Sequence, residues 1–185
     1  MNAPRGVPSN IERVLFSAQE IAERIREVGA EIGERYRGRE LKLIGVLRGS
    51  VFFLTALARA IEIPLQIDFL SISSFGGQTA SGAPGMVRIA KDLDDPIQGQ
   101  DVLLVEDIVD TGLTAGYLLR TLAGRGPRSL GICTLLDRTA RRIVPAPVEF
   151  RCFEIPDRFV VGWGLDYKQH YRNLDYIAVM NPEKI

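Results

Sequence analysis

The sequence predicts an α/β fold: a mainly parallel, twisted sheet flanked by helices, with a small cap formed by the N-terminal segment and the C-terminal tail. Three observations predict it. Apolar runs of strand length alternate with stretches of helical periodicity through the middle of the chain, which implies right-handed crossovers and a sheet covered on both faces. The chain has 185 residues, enough for one domain with a full core. Hydrophobic residues make up 46% and charged residues 25%, an ordinary globular balance. The whole span 1–185 reads as a single domain, with residues 1–10 as a flexible lead.

The elements follow in order. Residues 14–16 suit a short strand. Ser17 and Glu20 have the S-x-x-E spacing of a capping box before a helix at 18–37. Inside it Ile21, Ile25, Val28 and Ile32 recur at helical spacing, and Gly38 is a natural stop. Residues 41–47 are an apolar strand ending at Arg48-Gly49-Ser50, with a helix at 51–61. The next strand is 65–73. Residues 75–85 are rich in Gly, Ser and Thr and read as a long flexible loop before a strand at 86–90. A short apolar strand at 101–106 enters a tight turn and a helix at 114–123. Residues 129–136 form another strand, followed by an Arg-rich loop at 138–142. The stretches 150–155, 159–161 and 176–180 are strand-like. The first helix and the tail fall outside the alternation, so both are assigned to the cap.

Composition narrows the function. Lys plus Arg is 23 and Asp plus Glu is 23, so no global basic field favours nucleic acid. An anionic ligand must be captured by a local site. The two cysteines, Cys133 and Cys152, lie in apolar strand-like stretches and read as buried small hydrophobes, too few for a disulfide framework. The opening MNAPRGVPSN lacks the apolar run of a signal peptide. The most apolar helix-like stretch, 51–60, is too short to cross a bilayer and contains Arg59. These features favour the cytosol and no membrane partner.

The strongest chemical signal lies at 102–114. An apolar strand empties into adjacent carboxylates, Glu106 and Asp107; Asp110 follows, then Thr111-Gly112-Leu113-Thr114 and a helix. Ligands of open parallel sheets bind at the carboxyl ends of strands. A strand-to-helix turn with a glycine and hydroxyls offers N–H and O–H donors to a phosphate. Paired carboxylates can accept from ribose hydroxyls or hold hydrated Mg²⁺. On composition alone, Glu106 and Asp107 could instead merely end a strand, with Asp110 starting a turn. No G-x-x-x-x-G-K-[ST] loop occurs, and no G-x-G-x-x-G follows a strand.

The segment EDIVDTGLT at 106–114 closely resembles the phosphoribosyl pyrophosphate motif of type I phosphoribosyltransferases. Leu47-Arg48-Gly49 resembles that family's pyrophosphate loop, and Ser73-Ser74-Phe75-Gly76 the start of its mobile lid. Phe159-Val-Val-Gly-Trp-Gly-Leu-Asp166, with Tyr167 and Arg172, resembles the purine-binding tail of the hypoxanthine–guanine branch. The likeness runs from about residue 12 to residue 181.

The resemblance implies a type I phosphoribosyltransferase fold and transfer of a phosphoribosyl group to hypoxanthine or guanine with Mg²⁺. It implies small-molecule substrates and a homodimer or homotetramer. Thr111, Gly112, Leu113 and Thr114 would cradle the 5′-phosphate, and Arg48, Gly49 and Arg172 would meet pyrophosphate. Glu106 and Asp107 would face the ribose hydroxyls and, with Asp166, the Mg²⁺ shell. Asp110 would be catalytic, handling the proton of the purine imidazole ring. Ile108, Arg138, Phe159, Val160 and Asp166 would form the purine side, with Phe159 stacking on the ring. Ser74 and Phe75 would begin the lid, which excludes water. The peptide at the Arg48 loop is often cis in the family.

Two positions depart from the family pattern. Phe75 stands where the lid has tyrosine, and Arg138 stands where a lysine usually donates to the 6-oxo group. Arginine keeps a cationic donor but changes its shape and reach. Rival readings are a relative preferring xanthine, a regulator that senses the sugar phosphate without turnover, and a generic phosphate-binding α/β domain. The tail at 159–172 argues against the last, and Asp110 with zero net charge against the regulator.

Overall fold

A computed structural model describes residues 8–75, 86–181 and 183 of the chain. The chain opens with strand β1 (Ile11–Phe16) and helix α1 (Ala18–Arg35), continues through β2 (Leu41–Leu47), α2 (Ser50–Ala60), β3 (Leu65–Phe75) and β4 (Met86–Lys91), then β5 (Asp101–Val109), α3 (Leu113–Ala123) and β6 (Ser129–Asp137). It closes with β7 (Phe150–Glu154), β8 (Val160–Val161) and β9 (Ile177–Met180). Six strands form the main sheet in the order β4-β3-β2-β5-β6-β7. All its pairs are parallel except β3 with β4. A second, antiparallel sheet, β1-β9-β8, is the cap. The predicted class therefore holds.

The predicted capping box is present. The Ser17 backbone N–H donates to Glu20 Oε2 at 2.8 Å, and the Glu20 N–H donates to Ser17 Oγ at 3.3 Å. Such caps contribute about 0.5–2 kcal/mol. The helix they open ends at Arg35, two residues short of the expected end at 37. Tyr36 and Arg37 close it with backbone bonds to Ile32 and Glu34, and Gly38 turns the chain away at φ +73°.

The predicted place of α1 needs correction: it belongs to the main body, and only the flanking strands make the cap. Ile21, Ile25, Val28 and Ile32 are buried in one cluster with Leu41, Leu54, Leu103 and Leu135. Each such side chain stabilises the fold by roughly 1.5–3 kcal/mol, so α1 covers one sheet face with α2. The other face packs on α3 through Ile44, Leu104, Leu118 and Leu122. The alternation rule missed α1 because the strand before it belongs to the other sheet.

β5 is the central carrier of the site, and it runs to Val109 rather than stopping at 106. Its parallel ladder with β6 continues as Ile108↔Leu136 and Val109↔Asp137, so tertiary pairing overrides the poor strand propensity of the acidic residues. At its opposite end Asp101 has a fully buried side chain. It accepts from Ser129 Oγ at 2.6 Å and from Arg128 Nε at 3.1 Å, with Arg39 at 3.5 Å. The Arg128 guanidinium, then the Ser129 hydroxyl, hold its carboxyl below the usual range despite burial.

Asp101→Asn is therefore expected to cost about 1–2 kcal/mol at neutral pH, a fall in Tm of roughly 2–8 °C. A depressed carboxyl contributes stability above its unfolded pKa of about 3.9 and loses it as pH falls through the folded value. The Tm gap between parent and variant should narrow below about pH 4. Thermal melts from pH 7 to pH 3 check this, and a gap that stays constant would remove Asp101 as an anchor of β5.

Candidate active site

The carboxyl ends of the neighbouring parallel strands β2 and β5 open into a cleft of about 360 Å³. Of the residues put forward from the sequence, Arg48, Gly49, Glu106, Asp107, Ile108, Asp110, Thr111, Gly112, Thr114, Asp166 and Arg172 line it. Leu113 does not; it opens α3, and its N–H donates to Thr111 Oγ1 at 3.4 Å. A second cavity of about 280 Å³ is lined by Arg138, Arg141, Phe159, Val160 and Leu165. The two share Asp107, Ile108, Asp110 and Asp166. Segments as distant in sequence as Arg48 and Arg172 thus converge on one composite site. The lid expected at 75–85 lies outside the described residues beyond the backbone of Ser74 and Phe75, which ends β3.

The phosphate turn is held from behind. The Thr111 carbonyl accepts from the N–H groups of Ile143 at 2.9 Å and Val144 at 3.0 Å. Gly112 caps α3 at φ +82°, and a β-carbon there would stand 2.1 Å from the Val144 carbonyl oxygen. Only glycine fits that turn. The first N–H groups of α3 have no intrahelical acceptor, a feature that suits an anion at a helix N-terminus. On the other wall, a β-carbon at Gly49 would lie 1.6 Å from Asp107 Oδ2. Glycine there lets the carboxylate lie against the loop backbone. The Leu47–Arg48 peptide is cis.

The acidic pair is poorly solvated. Burial pushes the Glu106 carboxyl well above its ordinary value, and neighbouring Asp107 adds to the shift. Burial also lifts Asp107 to about 6, against the pull of the Ile108 N–H and the Arg172 guanidinium. Two carboxylates that resist ionisation side by side can be stabilised by a cation or by donating hydroxyls. Asp166 is differently placed. Its Oδ1 pairs with Arg172 Nη2 at 2.8 Å, and its Oδ2 accepts from the Gln169 N–H at 2.8 Å. Asp166 is near enough to Asp107 to raise the Asp107 carboxyl further. Among the described residues no three acidic, His or Cys side chains converge to hold an ion.

The purine side is organised by arginines. Arg138 is buried, not turned to solvent with its neighbours. Its Nη1 lies 3.3 Å from Asp110 Oδ2, and its Nη2 donates to the Arg158 carbonyl at 2.7 Å. Arg141 Nη1 approaches the same Asp110 oxygen at 3.5 Å. Asp110 Oδ1 and Arg138 Nε are left buried without a partner. Phe159 is half-exposed at the cavity edge, with the Tyr167 ring edge-on at 5.8 Å. Two contributors were not legible beforehand. Arg141 reads as one of several loop arginines until the short 3₁₀ turn at Thr139–Arg141 aims it at Asp110. Gln169 has no motif signal, yet it bonds both Arg48 and Arg172.

Comparison with known proteins agrees with this geometry. Residues 14–169 match the model of the phosphoribosyl transferase domain. The chain is 50% identical over 181 residues to the hypoxanthine-guanine phosphoribosyltransferase of Mycobacterium avium, covering 95% of this chain and 88% of that one. The crystal structure of a hypoxanthine phosphoribosyltransferase from Staphylococcus aureus superposes with a TM-score of 0.89 at 39% identity, over 95% of this chain and 94% of that one. A Trypanosoma cruzi hypoxanthine phosphoribosyl transferase, studied for the role of its C-terminal region in oligomeric state and activity, also gives 0.89, at 40% identity over 98% and 96% of the two chains. A glycine turn after β5, a paired acidic wall and a matching sequence over most of its length mean that this chain belongs to the phosphoribosyl transferase family.

Proposed function

We propose that the protein transfers the phosphoribosyl group of phosphoribosyl pyrophosphate to a 6-oxopurine, hypoxanthine or guanine, releasing pyrophosphate and IMP or GMP in purine salvage. One observation carries the choice of base. Asp110 and Arg138 line the second cavity, and Asp110 Oδ1 lacks a donor while Arg138 Nε lacks an acceptor. A 6-oxopurine protonated at N7 presents the complementary edge, an N–H donor beside an oxygen acceptor. Buried polar atoms without partners cost roughly 1–3 kcal/mol each, so a ligand that supplies both partners recovers that cost. Asp110 is one-third exposed on its side chain, and rotation of its carboxylate can bring either oxygen to the base.

In this reading the purine N9 attacks the anomeric carbon as the C–O bond to pyrophosphate breaks, and Asp110 accepts or balances the N7 proton. The α3 cradle at Thr111, Gly112, Leu113 and Thr114 holds the 5′-phosphate. Arg48 and Arg172 receive charge on the departing pyrophosphate. Phe159 stacks on the base, while Ile108 and Val160 border it. Ser74 and Phe75 belong to a lid that keeps water from the sugar. The buried Glu106–Asp107 pair suits ribose hydroxyls and Mg²⁺. Magnesium is commonly held by one or two carboxylates plus substrate phosphates and water, and this pair fits that habit better than a closed protein cage. When bound, Mg²⁺ would neutralise the leaving group's charge.

A dimer or tetramer is part of the proposal, supported by the attention to oligomeric state in the Trypanosoma relative. So is a cytoplasmic setting, supported by two cysteines that remain unpaired in the core. No helix among the described residues is long and apolar enough to cross a membrane.

Incubation with phosphoribosyl pyrophosphate, Mg²⁺ and each of hypoxanthine, guanine, xanthine and adenine tests the reading by product absorbance. Turnover is expected with hypoxanthine or guanine and should stop when a chelator removes Mg²⁺. Binding of the sugar phosphate without turnover of any purine would establish a sensor instead.

A further inference from the structure

Gln169 joins residues that the sequence alone does not connect. Its Oε1 accepts from Arg48 Nη1 at 3.2 Å and from Arg172 Nη2 at 3.2 Å. Its own N–H donates to Asp166 Oδ2 at 2.8 Å. Arg172 is further tied to the Gly164 carbonyl at 2.6 Å. Arg48 has no such second anchor: among the described residues its guanidinium bonds Gln169 alone. We propose that Gln169 is a positioning residue that holds Arg48 and Arg172 together as a two-armed clamp for a diphosphate. The proposal rests on the functional reading above and adds to it a residue with no assigned role.

Two guanidiniums that share one acceptor lie close enough to repel. A carboxamide oxygen offsets that repulsion with a dipole and adds no negative charge to the one that Asp166 already sets beside Arg172 at 2.8 Å. A free arginine side chain must lose its rotamer freedom when it binds a ligand. Tethering Arg48 before binding removes part of that cost, and the effect falls on the diphosphate and not on the base. Gln169 is itself fixed by an unusual backbone. Lys168, Gln169 and Tyr171 have φ of +50°, +67° and +77°, and Tyr167 and His170 exchange backbone bonds at 3.1 and 3.0 Å across this turn. Left-handed conformations in non-glycine residues persist where the surroundings over-determine them. Here the turn aims one side chain back at β2's loop.

The test uses two substitutions. Gln169→Asn keeps the amide and tolerates the left-handed backbone, but it is one methylene too short to bridge both arginines. Its KM for phosphoribosyl pyrophosphate should rise roughly fivefold to twentyfold, the scale of lost hydrogen bonds to charged groups at a solvent-facing site. The KM for hypoxanthine and the melting temperature should stay close to those of the parent. Calorimetry with inorganic pyrophosphate should show a matching loss of affinity. Gln169→Glu keeps the reach but puts a negative charge between the two arginines, so it should also weaken affinity for both diphosphates. An Asn variant with unchanged affinity for both diphosphates, or with an equal rise in the hypoxanthine KM, overturns the clamp while leaving the enzyme reading intact. A parent that binds phosphoribosyl pyrophosphate but turns over no purine overturns the enzyme reading, and the pyrophosphate calorimetry still decides the clamp.

Discussion

Asp110→Asn is expected to lower kcat by roughly 10²–10⁴-fold, the usual contribution of a positioned acid–base group, with little change in the affinity for phosphoribosyl pyrophosphate. Asp110 sits between the end of β5 and the cap of α3. One of its oxygens, Oδ2, faces Arg138 at 3.3 Å and Arg141 at 3.5 Å. The other is buried and unpartnered. Asparagine can keep an oxygen toward the two arginines, so the fold and the pairing there should survive. Its amide nitrogen then occupies the second position, and an N–H cannot accept the proton of an attacking imidazole. Single-turnover and steady-state rates with hypoxanthine, beside a thermal melt, measure this. A folded variant with kcat within about threefold of the parent, far short of the usual acid–base contribution, would reduce Asp110 to a turn former.

The same residue shows what the sequence could and could not disclose. The carboxylates and the glycine turn are legible because each is a residue type whose chemistry suggests a ligand, whereas the tail was legible only through its likeness to a known family. The order of strands and helices was legible from alternating periodicity. What escaped was contact between distant segments. Nothing in Leu-Leu-Asp-Arg indicates that Arg138 turns inward to meet Asp110, because a side chain's direction follows from the β5–β6 pairing that places Arg138 beside Val109, whose carbonyl accepts its N–H at 3.0 Å. The demand for glycine at position 49 comes from the Asp107 carboxylate, which is distant in sequence. Gln169 looked like one more polar tail residue for the same reason. The length of β5 was underestimated because local propensity ends the strand at Glu106, whereas its ladder with β6 carries it to Val109. The contacts of Asp166 with Arg172 and the Gln169 N–H likewise join residues that no sequence pattern links.

Arg138→Ala is expected to change which base the enzyme accepts. In the proposed site guanine and hypoxanthine would present a 6-oxo acceptor to Arg138, and adenine a 6-amino donor. Arginine has five N–H donors and no acceptor, so adenine would leave donor against donor. A site built to hydrogen-bond one group can reject an analogue lacking it by roughly 10⁴–10⁵-fold. The parent should therefore use adenine very poorly. Removing the guanidinium should lower kcat/KM for hypoxanthine by about 1.5–3 kcal/mol, the range for a charged hydrogen bond, while costing adenine far less. The selectivity ratio should fall with it. Arg138→Lys keeps a cationic donor and should retain preference for 6-oxopurines, although it loses the fork that spans Asp110 and the Arg158 carbonyl. Because Arg138 and Asp110 are in contact, their effects should not add: the double variant Asp110→Asn, Arg138→Ala should be less impaired than the product of the single losses. Arg141, still facing Asp110 in the Arg138 variant, should keep the carboxylate partly paired. Steady-state kinetics of the two single variants and the double variant, with hypoxanthine and adenine, decide the matter. Unchanged hypoxanthine kinetics in Arg138→Ala, or parent turnover of adenine comparable to hypoxanthine, would show that backbone groups and not Arg138 select the base.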